Sequence, residues 1–252
     1  MKKTLHWLVI AAIWLLVWQF AYLLIAKDIL ISSPLDTVRE LGTLAATSAF
    51  WLAVLTSMGR ILAGFLLGVV ACVLLAIVTS LSSWCYDFFK LPISIIKATP
   101  VASFIILILV WLPYGQVPVF TAFLIVLPVL WGNVSEGIRK TDRQLLEMAA
   151  GFKLSPLAKL RHIYIPSVLP YFMAGSTTGM GMAWKAGITA EVICIPKLSI
   201  GSALYSSKIY LDTPALFAWT VTVILLSVLL EAVFVRLVAR AGFVPRAKEG
   251  RL

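Results

Sequence analysis

The sequence predicts an all-α membrane protein, and three observations carry that prediction. Apolar residues make up 61% of the 252-residue chain and charged residues 13%, where soluble domains sit near ~45–50% and about 25%. The mean hydropathy is +1.00, and several apolar runs reach the ~20 residues a helix needs to cross a ~30 Å hydrocarbon core. Basic residues are also shared unevenly between alternate connecting segments, as they are in chains that cross a bilayer repeatedly.

Six helical spans are expected, at 5–26, 51–81, 93–112, 117–134, 167–188 and 214–238. The first follows Lys2 and Lys3, but it exceeds a ~7–15-residue signal core and no small-x-small cleavage pattern follows it. It is read as a retained span. The segment 32–50 opens with Ser33 before Pro34, a helix-start pair expected to begin a short surface helix. The third and fourth spans are joined by "PYGQVP", in which Pro113, Gly115 and Pro118 suit a turn. The fifth, "MAGSTTGMGMAWKAG", is small and polar for a span.

With Lys2 and Lys3 inside, fifteen Lys and Arg fall on or beside the cytoplasmic segments and four on the outer ones, leaving Arg60 and Lys185 in spans. Both termini are then cytoplasmic. The net charge of +10 reads as a topology signal. It does not point to nucleic acid, because the charges are spread over separate loops and do not gather on one aromatic-rich face. Cys72, Cys85 and Cys194 lie far apart, which fits small apolar packers and implies neither a disulfide framework nor a metal site.

The longest cytoplasmic segment carries "LLEMAAGFKLSPLAKLRHIYIPSVLP" at 145–170. Thr141 with Gln144 makes a capping-box pattern. Leu145, Met148, Ala149 and Phe152 then fall on one helical face. Ser155 and Pro156 form a second helix start, with Leu157, Leu160 and Tyr164 as its apolar face and Pro166 and Pro170 as its stop. Two short helices are expected to meet at an elbow near 151–155, their apolar sides held against the membrane face of the protein.

"EMAAGF" and "IYIP" in this segment resemble the cytoplasmic signature of bacterial ABC importer permeases. "TSMGRILAGFLLG" (56–68) resembles the second span of the nitrate/sulfonate/taurine-type permeases, and "LPYFMAGSTTGMGMAWKAGITAEVI" (169–193) their fifth. The resemblance covers roughly residues 30–240. It implies one permease domain over 1–252, with an extra first span at 5–26, a core at 51–238 and a coupling hairpin at 141–166. The hairpin would seat on a separate cytoplasmic ATPase subunit. Glu147 and Ala149 take the signature's Glu and second Ala. Contacts are implied for Gly151 and for Lys153, Leu154, Ser155, Pro156, Leu157, Lys159, Leu160 and Arg161. The family's elbow glycine would fall at Lys153. Either the turn shifts to Gly151, or Lys153 adopts a backbone conformation that tolerates a side chain.

Ionisable residues at membrane depth cost ~2.5–3.5 kcal/mol on insertion scales, so they face partners or water. Arg60, Lys185 and Glu191, with Thr178 and Met182 of the slim fifth span, form the candidate translocation path. A structural ion pair, or snorkelling to an interface, is the alternative for the charges. Lys185 and Glu191 are six apart and cannot pair as an i, i+4 couple. Gly64 and Gly68 form a GxxxG that lets another helix come close.

No Gly-Lys dipeptide occurs, so no phosphate-binding Walker loop is present, and no HExxH, nucleophile elbow or paired carboxylates appear. The resemblance therefore implies a permease that is not itself an enzyme and carries no cofactor. ATP and Mg would be bound by two partner ATPase subunits. A second permease, a copy of this chain, and an extracytoplasmic solute-binding protein complete the implied assembly in the bacterial cytoplasmic membrane. The implied solute is a sulfonate, nitrate or another small organic molecule such as a vitamin precursor. The competing class is a secondary carrier or channel, which would need functional acids in its spans and only a connector at 141–166.

Overall fold

The computed structural model describes residues 2–240, apart from the side chains at 2–4, 81 and 238–240. Every regular element among them is helical. In chain order these are α1 (Lys2–Ile25), α2 (Pro34–Ala45), α3 (Ser48–Leu81), α4 (Ser83–Ala98), α5 (Val101–Ile108) and α6 (Val117–Arg139). There follow α7 (Arg143–Gly151), α8 (Pro156–Lys159), a π turn (Leu160–Tyr164), α9 (Ile165–Cys194), α10 (Ile200–Ile209) and α11 (Thr213–Arg240). Of the segment 239–252, expected on the cytoplasmic side, residues 241–252 lie outside the described residues.

Four of the described helices are long and apolar enough to cross a membrane: Leu5–Ile25, Ser48–Ser80, Val117–Arg139 and Thr213–Leu237. The expected third span is not one continuous helix. Ser83–Ala98 and Val101–Ile108 meet at a bend of 100° and count as a fifth crossing only if taken together. Pro100 is the reason. It has no N–H to continue the ladder, and its ring drives the preceding residue out of the helical region. Thr99 accordingly sits at φ −83°, ψ 132°. The Thr99 hydroxyl donates to Ile95 O at 2.8 Å. At 30 residues α9 has the length of a span, yet its Ser, Thr, Gly and charged residues keep it out of the apolar set.

The helices form two compact units. One comprises the chain up to Met58 together with Glu191–Leu226. Ser33 caps α2 as its sequence predicts, its hydroxyl accepting from Asp36 N at 3.0 Å. Trp18 anchors α1 here: its Nε1 donates to Ser32 O at 3.0 Å, and its ring stacks on Phe217 at 5.8 Å. Phe50 meets Trp219 at 4.8 Å, and Thr213 Oγ1 donates to Ile29 O at 2.7 Å. Outside these contacts α1 is almost wholly exposed, which suits a helix that lies in lipid.

The other unit comprises Gly59–Ala190 and the chain from Ser227 onward, with α6 as its most buried helix. Small residues set the spacing. A Cβ at Gly64 would overlap the Val119 carbonyl and Ala122, and one at Gly68 would overlap Val126. Gly175 admits Asn133 in the same way, and Gly187 admits Ile61. Where lipid competes on equal terms for apolar surface, such close backbone approach supplies much of the packing energy. Cys72 and Cys194 are buried.

Candidate functional site

The hairpin after α6 is built by a sequence of caps. Thr141, the expected cap, turns back to donate to Gly137 O at 3.2 Å and is buried. The cap of α7 is Asp142, whose carboxylate accepts from Gln144 N at 2.8 Å. The α6 helix itself runs as far as Arg139, so the Thr141 hydroxyl finds a carbonyl one turn back before it can serve the next helix. The capping box read at Thr141 and Gln144 is not formed.

The elbow also has a defined form. Lys153 N donates to Ala150 O and Leu154 N to Ala149 O, both at 3.0 Å. This is a Schellman ending, with Lys153 left-handed at φ 52°. Gly151 stays inside α7, and a Cβ there would meet nothing within 4 Å beyond its chain neighbours and its own helix backbone. Of the two elbow geometries open from sequence, the structure adopts the turn at Lys153. Ser155 then caps α8, its hydroxyl accepting from Ala158 N at 3.2 Å, with Pro156 in the first turn.

Pro166 and Pro170 do not stop the second arm. The chain runs from α8 through the π turn into α9, with Pro170 inside it. The wider turn at Leu160–Tyr164 ends two residues before Pro166. A π turn lets the ladder skip a position, so the missing N–H and the ring of Pro166 break nothing.

The apolar faces of the hairpin are not held against the protein as expected. Only Ala149 and Ile163 are buried, while Leu145, Met148, Leu157 and Leu160 are exposed. Phe152 is 76% exposed and Leu157 74%. Arg139, Lys140, Asp142, Arg143, Glu147, Lys153, Lys159 and Arg161 crowd the same stretch, and such a density of charge belongs in water. Exposed apolar side chains on α1 can be covered by lipid. Those at the elbow have exposed charged side chains beside them. At the root of the hairpin Lys140 Nζ lies 3.1 Å from Glu136 Oε1, and that hydrogen bond raises the lysine pKa.

Of the candidate path residues, Thr178, Met182 and Lys185 share one face of α9 and are all exposed. Thr189 extends that face by a further turn. The opposite face, with Ser176, Gly179, Met180, Ala183 and Trp184, is buried. Arg60 lies elsewhere, against the turn joining α5 to α6, with guanidinium Nη2 3.7 Å from the Cβ position of Gly115. Glu191 belongs to the first unit and is fully buried. Its Oε2 accepts from Ser57 Oγ at 2.7 Å and from Gly201 N at 3.2 Å. Ser57 Oγ in turn accepts from Ile200 N at 2.9 Å.

Glu191 and Ser57 thus satisfy the first amides of α10, the end of a helix where negative charge is favoured. Sequence reasoning missed Ser57 and this use of Glu191, whose partners come from 134 residues before it and 10 after. The available signal was Gly201, directly after a Ser-Ile pair at a helix start. A Cβ there would overlap the Glu191 side chain and backbone. Among the described residues no group of three or more His, Cys, Asp or Glu gathers that could hold a metal ion.

Comparison with known proteins bears on this arrangement. The family model for a "binding-protein-dependent transport system inner membrane component" matches residues 61–242. The chain is 29% identical over 216 residues to the putative aliphatic sulfonates transport permease protein SsuC of Escherichia coli, covering 82% of this chain and 81% of that one. It is 25% identical over 204 residues to the nitrate import permease protein NrtB of Synechococcus elongatus, covering 77% and 73%. With the taurine transport system permease protein TauC of Escherichia coli it shares 20% identity over 229 residues, covering 88% and 82%. The crystal structure of an amino acid ABC transporter with histidines superposes at a TM-score of 0.63 and 14% identity, covering 79% of this chain and 95% of that one. The chain therefore belongs to the family of binding-protein-dependent inner-membrane components, the permeases of ABC transporters.

Proposed function

We propose that this permease is the transmembrane subunit of an ATP-driven importer and that its elbow is where a cytoplasmic ATPase seats. The observation that carries this reading is the pairing of Phe152 and Leu157, both about three-quarters exposed, with Lys153 and Arg161 on a segment too charged for lipid. A left-handed turn at Lys153 presents them. Central apolar anchors ringed by polar groups are the usual make-up of an energetic interface core. Closure of two ATPases, which bind ATP and Mg, would draw two such hairpins together and switch the pore from inward- to outward-facing. An extracytoplasmic binding protein then releases solute into the cavity.

The chain acts in this scheme as one membrane domain: an added span at 5–26, a core at 51–238 and the hairpin at 141–166. Six crossings put both termini in the cytoplasm, with the bent α4–α5 pair as the third and α9 as the fifth. The polar face of Thr178, Met182 and Lys185 is then screened from lipid by a second copy of the chain or by the solute path. The relatives named for aliphatic sulfonates, nitrate and taurine support a small sulfonate, nitrate or related organic solute.

Charge reversal of the elbow tests the coupling. A Lys153→Glu, Arg161→Glu double variant should insert normally but lose most solute uptake, with ATP hydrolysis no longer stimulated by loaded binding protein. Wild-type uptake by that variant would overturn the assignment.

A further inference from the structure

We infer that the polar cavity between the ends of α3, α4 and α6 holds the headgroup of an aminophospholipid, with its phosphate on Arg139 and its ammonium on Asp87. The cavity measures about 370 Å³ and is walled largely by hydroxyl and charged side chains. That is the low end of the ~300–1,000 Å³ of small-molecule sites, enough for a headgroup without its chains.

Arg139 is held in place by its face. Its guanidinium carbon lies 4.1 Å from the centroid of the Tyr86 ring. Tyr86 stacks on Trp131 at 5.0 Å, and Trp131 Nε1 donates to Thr79 Oγ1 at 3.3 Å. A guanidinium fixed by stacking keeps its in-plane N–H donors for an oxyanion, the geometry suited to phosphate. The N-terminus of the 16-residue α4 opens at the same place, with Ser82 as its cap, and adds positive potential.

Ser135 supplies the independent sign of a ligand. It lines the cavity and is 7% exposed, yet its Oγ has no hydrogen-bond partner among the described residues. Helical hydroxyls commonly bond the carbonyl one turn back. Thr79 does so to Leu75 O at 2.8 Å, whereas Ser135 does not. The hydroxyl is closed off as it stands, so it meets an incoming phosphate oxygen by turning about χ1 toward the cavity that also holds Arg139.

Two features point to a lipid as the source of that phosphate. The outer face of α4 exposes Trp84, Phe88, Leu91 and Ile95 at i, i+4, i+7 and i+11, a strip along which acyl chains can lie. Trp84 stacks on Phe88 at 5.4 Å, and exposed Trp is typical of headgroup level. Asp87 on the cavity wall then selects within the lipids. A headgroup with an ammonium pairs with it, whereas a purely anionic headgroup is repelled. The inference rests on membrane location and is independent of the solute carried.

Native mass spectrometry of the full chain in mild detergent tests it, with phosphatidylethanolamine and phosphatidylglycerol of identical chains. Wild type should retain the former roughly five-fold better, the size of one part-exposed ion pair. Asp87→Asn should bring the two near parity, and Arg139→Gln should weaken both. Ser83→Phe, which fills the cavity while leaving both charges in place, should also weaken both and serves if Arg139→Gln misfolds. Equal retention by wild type, or retention unchanged in Ser83→Phe, overturns the site. Binding of millimolar phosphoethanolamine by a chain that retains neither lipid would assign the cavity to a soluble phosphomonoester and overturn the lipid.

Discussion

Lys153 and Glu191 are the two side chains whose surroundings say most about how this permease is held together. A left-handed residue with a side chain costs ~1–2 kcal/mol relative to glycine, and Lys153 bears that cost at φ 52°. Lys153→Gly should therefore tighten the elbow. Hydrogen exchange at the Leu154 amide, which bonds Ala149 O, should slow by about five-fold, and faster exchange would show that the lysine itself rigidifies the turn. Glu191 is the converse case, a buried acid whose removal leaves two donors unmet. Glu191→Ala should cost ~3 kcal/mol and lower the melting temperature in detergent by roughly 6 °C or more. Glu191→Gln, which keeps an acceptor oxygen, should lose much less. An alanine variant melting with wild type would remove the network from the account. Neither feature was fully legible in sequence. The motif offered Gly151 and Lys153 alike because a dihedral angle leaves no mark on composition, and the Glu191 partners are set by tertiary packing.

At the scale of elements, local chemistry was the better guide. Ser33 and Ser155 cap their helices as the sequence predicts, each ahead of a proline in the first turn. Pro100 was equally visible, but it sits within an apolar run, and hydropathy averaged over such a run passes across a break. The 100° bend at Thr99–Pro100 is the consequence. Thr141 misled because its competitor, the Gly137 carbonyl, belongs to the preceding helix and to no motif. Pro166 did so because a π turn absorbs it. The glycines of the second span were read as packing surfaces, and the contact of Gly64 with Val119 and Ala122 makes them so. Gly64→Val should force α3 from α6 and destabilise the protein by ~1–3 kcal/mol. A chemical or thermal denaturation series in detergent checks this, and a neutral result would mean the helices can part without loss.

For the whole molecule, membrane character and family were legible from apolar content, charge asymmetry and a few quoted stretches, because these properties are summed over many residues. The exposure of the elbow was not. The same periodicity that predicts a helix predicts a buried face, and only the fold shows that none of the described residues covers Phe152 and Leu157. On the proposed reading, the exposed apolar anchors of this basic turn are met by a partner. The direct measurement is affinity purification of the tagged chain from its own host in mild detergent, with mass spectrometry of what accompanies it, beside a Phe152→Asp, Leu157→Asp variant. An ATPase subunit at near-equal stoichiometry is expected with wild type and its loss from the variant, both chains remaining monodisperse. A wild-type chain that repeatedly purifies alone, or a variant that keeps its ATPase, would contradict it.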